Sequence, residues 1–328
     1  MNRVIIFILK GVRKLYSRFN RNTSLSKPNC EEDPEVASAI ILEKLLNDEP
    51  CMIARFGNNE LMALTSFLGI TAKTKDYLGY ITGEKLPWWC DEYIIHQMNE
   101  CAGFFPPTEE KLMEFGQLML NDIKEVNLLG SWLSLESHVL PRMNCELIHL
   151  RLLEPFWSKQ PWTIALKGKK ILVIHPFAET IVKQYEKREL LFDDQDLLPE
   201  FKSLQVIKAV QSIGGGNTQF KDWFEALDSM KHQIDNSDFD VCLIGAGAYG
   251  LPLAAHVKRI GKMGVHMGGA LQLLFGIRGK RWEDPQYGVK EWGIPEGSYS
   301  NMMNKHWVRP IIDEKPKNAS KVEGACYW

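Results

Sequence analysis

"FDVCLIGAGAYGLPLAAHVKRIGKMGVHMGG", residues 239–269, reads as a strand, a glycine-rich turn, a helix and a further strand. Val241 to Ile244 is an apolar run of strand length, suited to burial on both faces. Gly245, Gly247 and Gly250 interrupt it, and the segment that follows is helical in pattern. Strands that alternate with helices imply parallel pairing, because the connecting helix must cross one face of the sheet.

The same order recurs upstream. "CMIARFGNNEL", residues 51–61, is a buried strand running into a helix, and "GKKILVIHPFAETIVKQYEKR", residues 168–188, is a turn, a strand at 171–175 and a helix. A further strand is expected at 204–210, then "GGGNT" at 214–218 as a helix cap before "FKDWFEALDSMKHQI". Asp33-Pro34 caps a helix reaching about Asn47, with Val36, Ile40, Ile41 and Leu45 on one face. Helices are expected from Pro87 to about Cys101 and from Thr108 to about Lys124, and a strand at 126–130. No internal repeat or low-complexity segment interrupts this order. The expectation is an α/β three-layer, Rossmann-like sandwich with a mainly parallel sheet and extra N-terminal helices. It divides into a basic amphipathic segment (1–30), one α/β domain (31–310) and a C-terminal tail (311–328).

Composition excludes several classes. With 328 residues, 45% hydrophobic and 24% charged, the chain can bury a sizeable core. The net charge of −2 conceals Arg3, Lys10, Arg13, Lys14, Arg18, Arg21 and Lys27 in a stretch without one acid. Its apolar run, Val4 to Leu9, is too short to span a bilayer. Residues 1–22 suit either a basic helix on an anionic lipid surface or a frayed basic tail. No second basic and aromatic patch supports nucleic-acid binding. The seven cysteines form no C-x-x-C pair, which argues against a disulfide framework or zinc site and for a cytoplasmic location.

Parallel sheets bind ligands at the carboxyl ends of their strands, so the loops after Phe56, His175, Ile244 and His266 are expected on one rim. "GAGAYG" at 245–250 fits G-x-G-x-x-G, and Gly245, Gly247, Tyr249 and Gly250 are candidates for phosphate contact at a helix start. The acid that should follow about 20 residues on, to hold a ribose, is missing; "GVHMGG" stands there, with His266, Gly268 and Gly269. NAD is therefore not expected. The glycines alternatively serve only tight strand-to-helix packing.

In "ARFGNNEL", Asn58 or Asn59 can cap the helix and Glu60 can complement its dipole, but capping leaves Arg55 unexplained. Arg55, Gly57, Asn58, Asn59 and Glu60 together make a pocket of both charge signs, able to hold a diphosphate directly or through a divalent cation, Mn or Mg, on Glu60 and Asn58. Arg278, Lys280 and Arg281 in "GIRGKRW" are further candidate cations, or simply a solvated basic turn. His175 and Glu179 share another strand-end loop; Glu136 and Glu179 join Glu60 as candidate catalytic carboxylates. Among ten tryptophans, Trp282 is the candidate to stack on a base or sugar.

"RFGNNEL" resembles the R-F-G-D-G-E-L segment of the GT-D fold glycosyltransferases, with Arg55, Phe56, Gly57, Glu60 and Leu61 matching. The outline likeness spans about residues 36 to 275. "LEPFW", "PWTIALKGKKILVIHPF" and "GGALQLLFGIRGKRW" resemble a bacterial branch related to surface-polysaccharide assembly. The resemblance implies transfer of a sugar from a nucleotide-sugar donor to a hydroxyl of a surface glycan and leans towards inversion at the anomeric carbon; with a lipid-linked acceptor, the basic N-terminus fits peripheral residence at the inner face of the membrane. Two positions depart from the pattern: Asn58 replaces an aspartate, and "HMGG" at 266–269 replaces Asp-x-Gly-His, which weakens the implied metal site. The alternatives are an NAD(P)-dependent oxidoreductase and a catalytically silent nucleotide-sugar-binding assembly protein.

Overall fold

A computed structural model describes residues 3–20, 25–212, 219–316, 318–319 and 324–328. Seven strands form one sheet: β1 Cys51–Arg55, β2 Leu128–Ser131, β3 Glu146–His149, β4 Lys170–His175, β5 Ser203–Lys208, β6 Val241–Ile244 and β7 Met263–His266. Their order is β3-β2-β1-β7-β6-β4-β5, and every pairing is parallel. The α/β, Rossmann-like expectation holds.

Strand alternation explains the layers. In β1, Cys51 and Ile53 enter one apolar cluster while Met52 and Ala54 enter the other; β4 and β6 divide in the same way. Both faces are thus covered, as an all-parallel sheet requires. On the first face lie α2 (Pro34–Leu46) and α7 (Ala178–Tyr185). On the second lie α3 (Asn58–Thr71), α6 (Glu109–Asp122), α8 (Trp223–Asp235) and α9 (Gly250–Arg259). Two shorter helices, α4 (Tyr77–Thr82) and α5 (Glu92–Glu100), lie between α3 and α6 in the chain. N-terminal to them all is α1 (Arg3–Phe19), and after β7 comes α10 (Leu271–Leu274) on the first face.

This distribution creates the cleft. The chain leaves β1 and β6 toward the second face but leaves β4 and β7 toward the first. Along the sequence of neighbours β1, β7, β6, β4, the exits therefore alternate, and the strand ends open between diverging connections. The registers Ile53↔Val265, Ile244↔His266 and Ile174↔Ile244 bring the four carboxyl ends level.

Several local expectations change. β3 was not anticipated; its half-exposed edge strand, "ELIH", is too short to show a period. The helix expected from Pro87 starts at Glu92, because Asp91 caps it and Trp88 and Trp89 instead pack with Tyr80 beneath α1. Gly57, not an asparagine, is the N-cap of α3, with no side-chain cap bond. Val36, expected on the buried face of α2, is 44% exposed, and Ala37 and Ser38 take that face. Asp222 caps α8; the cap expected at 214–218 lies outside the described residues. Residues near the C-terminus are no free tail: Glu314, Ala319, Cys326 and Trp328 are buried.

Candidate functional site

The strand ends open into a cleft of about 380 Å³ whose lining includes Arg55, Glu60, His175, Gly245, His266 and Arg281. Arg55 ends β1 and projects from the edge of the buried sheet. Its guanidinium lies 5.5 Å over the ring of Trp132, and it forms no hydrogen bond or ion pair among the described residues. Burial lowers its pKa, with Glu60 opposing the shift. A half-buried cation without a bonded partner is costly unless a ligand anion completes it.

Among the described residues Glu60 supplies the one side-chain carboxylate in the lining. It sits at the third position of α3 and folds back onto its own backbone amide; burial raises its pKa, while that amide and Arg55 pull it down. The carboxylate occupies the space in which a Cβ on Gly57 would stand, so a side chain there would displace it. Asn58 and Asn59 line the same cleft as Arg55, in the first turn and at the positive end of a 14-residue helix.

The two histidines are neutral. The His175 Nδ1 accepts from the Phe177 amide at 3.0 Å, so Nε2 carries the proton; Nε2 has no partner among the described residues. The His266 Nδ1–H donates to the Ile244 carbonyl at 3.2 Å, leaving Nε2 as an acceptor. Burial pushes both pKa values down to about 3, helped at His266 by Arg55. They offer one fixed donor and one fixed acceptor without added charge.

Glycine placement follows from these rings. A Cβ on Gly245 would stand 2.6 Å from His175 Cδ2 and 2.7 Å from the Gly268 carbonyl, and one on Gly250 would overlap the His266 ring. The Gly245 amide is also taken by the Ile174 carbonyl at 2.9 Å. These two glycines serve packing. Gly247 differs: its φ of +53° requires glycine although nothing stands near its missing side chain. Gly268 (φ +66°) makes the corresponding turn after β7, and Tyr327 packs on Gly269.

Other expected residues fall elsewhere. Tyr249 turns into the core, stacked on Trp223 at 4.7 Å with its hydroxyl near Ser212. Arg278 is outside the cleft lining and donates to the Asn304 carbonyl at 2.8 Å, and Lys280 is exposed outside it. Only Arg281 of that basic run lines the cleft, 4.8 Å over the Tyr327 ring. Trp282 is buried core. Glu136 is buried and occupied, accepting from the Ser131 hydroxyl and from the Trp132 and Leu133 amides at 3.1 Å. Glu179 is exposed; its amide and that of Thr180 are capped by Glu314, so two of the first-turn amides of α7 are already taken.

Sequence reasoning missed Gln97, Trp132, Gln272, Tyr327 and Trp328 in the lining. Two of them are informative. Gln272 is fully buried; its Nε2 donates to three carbonyls, yet its Oε1 accepts nothing among the described residues. Trp328, 6% exposed, leaves its Nε1–H equally unmet. Buried polar atoms without partners are rare, and these two border the cleft. Nothing in the local pattern around a glutamine on a short helix or a C-terminal tryptophan signals this.

For a divalent cation the lining offers one charged oxygen donor among the described residues, Glu60. Asn58 is exposed, and its amide nitrogen is 3.6 Å from Met62 Sδ. Among the described residues no three His, Cys, Asp or Glu side chains converge. Two arginines against one carboxylate favour an anionic ligand. Across Trp132 lies a second cavity of about 280 Å³, lined by Glu32, His149, Arg151, Glu291 and Trp292 among others. No protein-family model, curated protein or solved structure matches the chain.

Proposed function

We propose that the protein is a glycosyltransferase of the GT-D type, taking its sugar from a nucleotide-sugar donor and passing it to a glycan hydroxyl. The observation that carries this reading is the Arg55 guanidinium, which has no bonded partner among the described residues, at the point where the sheet connections diverge, beside the first turn of α3 and the Glu60 carboxylate. That arrangement suits a diphosphate: Arg55 and Arg281 supply charge, the Asn58 and Asn59 amides supply directed donors, and the His175 Nε2–H supplies one more. Neutralisation by arginine replaces a resident metal.

In the reaction the anomeric carbon loses its bond to the diphosphate oxygen, which leaves with the electron pair, and gains a bond to the acceptor oxygen. Arg55 is placed to stabilise the charge that grows on the leaving diphosphate. The acceptor proton passes to Glu60, whose raised pKa brings it closer to the range useful for a base. The cavity beyond Trp132 suits the acceptor, because tryptophan faces and carboxylates recognise the apolar and hydroxyl surfaces of a sugar. A cytoplasmic site of action and a lipid-linked, cell-envelope acceptor belong to the same proposal. The oxidoreductase reading loses ground because β7 ends in a buried neutral histidine rather than an acid.

The test is a thermal-shift and turnover screen of UDP-, GDP-, dTDP- and CMP-sugars in EDTA, with NADH alongside. One donor class is expected to stabilise the fold by about 2.7 kcal/mol at a hundredfold excess over Kd. Slow donor hydrolysis is expected to vanish in Glu60→Gln. Binding that persists with no turnover under any condition would assign a silent binding protein, and stabilisation by NADH alone would overturn the reading.

A further inference from the structure

α1 divides into three sectors when its residues are placed at about 100° per residue. One sector faces the body: Leu9 is buried, Ile6 packs with it against Tyr80, Trp88 and Trp89, and the Arg13 guanidinium lies 4.7 Å over the Tyr80 ring. The second is a basic stripe of Arg3, Lys10, Lys14 and Arg18. Arg3 pairs with Glu92 and Lys10 with Asp91, whereas Lys14 and Arg18 have no ionic partner among the described residues. The third holds Val4, Ile5, Ile8, Val12, Leu15 and Phe19, from 40% exposed at Val12 to 80% at Phe19. Phe7, 79% exposed, stands within the basic stripe.

Folding does not account for this third sector. The helix is already docked through another face, and α4, packed against it, adds exposed Leu78 and Tyr77. Contiguous exposed apolar surface of this kind marks an interaction site. Charge identifies the occupant: no acid precedes Glu31, and the basic stripe borders the apolar sector, with Lys14 and Arg18 unpaired among the described residues in its C-terminal half. Among the described residues no helix is long and apolar enough to cross a membrane, so the face is suited to lie along a surface.

We propose that α1 lies in the plane of an anionic phospholipid surface, with Val4, Ile8, Leu15 and Phe19 inserted among the acyl chains and Lys14 and Arg18 at the headgroups. The helix packs on the rest of the protein through Ile6 and Leu9. Lys10 bonds Asp91, the residue that caps α5, and α5 carries Gln97 into the lining of the cleft. Surface docking would therefore hold that wall of the cleft beside the bilayer, where an acceptor on a lipid carrier would be presented.

The experiment is cosedimentation of the full chain with phosphatidylcholine vesicles containing phosphatidylglycerol, against phosphatidylcholine alone. Binding to the anionic vesicles is expected to be at least about tenfold tighter and to weaken in high salt. Lys14→Gln with Arg18→Gln should lower it by about twentyfold. Leu15→Ser with Phe19→Ser should lower it at least about tenfold while leaving the melting temperature unchanged, since both side chains are exposed. Absence of binding to anionic vesicles, or equal binding by the Leu15→Ser/Phe19→Ser variant, overturns the proposal. So does self-association that this variant abolishes without any vesicle binding, which would give the face to a second copy of the chain. No readout involves a nucleotide sugar, so the outcome is separate from that of the transferase reading.

Discussion

The Glu60 carboxylate fills the space that a side chain at Gly57 would need. Gly57 has φ −77° and ψ 149°, a conformation any residue adopts, so a substitution there meets the neighbouring carboxylate and no backbone strain. Gly57→Ala should therefore cost little stability, no more than about 1 kcal/mol for the poorer cap. It should displace Glu60 and lower turnover by roughly a hundredfold. Urea denaturation and donor hydrolysis measured on one preparation check both halves; a large stability loss with intact turnover would show that Glu60 does not act from this position.

Gly250 and Gly247 should separate in the opposite way. The His266 ring, held to the Ile244 carbonyl, leaves no room for a Cβ on Gly250, so Gly250→Ala should destabilise by about 1–3 kcal/mol through overpacking. Gly247→Ala meets open space and pays only for its left-handed φ, about 1–2 kcal/mol. Donor affinity should fall in Gly247→Ala out of proportion to its stability loss, because this turn borders the cleft. Paired denaturation and binding titrations test the difference.

His266 also gives a pH dependence of defined sign. Its folded pKa of about 3 lies below the ordinary value, so between about pH 3 and 6.5 the unfolded chain binds the proton and the folded chain does not. Its contribution is complete above pH 6.5 and is lost as pH falls, by at most about 1.4 kcal/mol per unit. Asp122 and Glu154, raised by burial to about 6 and about 7, act in the opposite direction, so the total profile hides the effect. The wild-type minus His266→Gln difference in unfolding free energy isolates it and should increase with pH from 4 to 6.5. A flat difference would contradict a buried neutral imidazole.

Trp328 offers a test in which fold and ligand respond with opposite signs. Its Nε1–H is buried without an acceptor among the described residues, a cost of about 1–3 kcal/mol that a ligand oxygen would relieve. Trp328→Phe keeps most of the packing, so stability should be unchanged or higher while donor affinity falls about tenfold. Equal affinity in the two proteins would remove Trp328 from the site.

The part of this architecture legible in the sequence was the part with periodic burial. The apolar runs of β1, β4 and β6 and the glycines after β6 identified the parallel sheet and its binding rim, and Arg55 stood out because a charge ending a buried strand needs a reason. Short or irregular pieces carried no such signal. β3 is a four-residue edge strand, and Trp132, Gln272 and Trp328 reach the cleft from a loop, a one-turn helix and the chain end. Glu136 and Tyr249 were misassigned for a related reason: proximity in sequence to a strand end does not reveal which way a side chain turns. Glu136 turns to cap its own loop, and Tyr249 to stack on Trp223.

The most direct measurement is a calorimetric titration with UDP, GDP and dTDP in EDTA, using wild type and Arg55→Gln. At least one diphosphate should bind the wild type, its monophosphate at least about tenfold more weakly, and Arg55→Gln should lose thirtyfold or more, about 2 kcal/mol for a charged partner removed. Binding of equal strength by Arg55→Gln, or no binding of any diphosphate to a folded wild-type protein, would contradict the cleft as a pyrophosphate site.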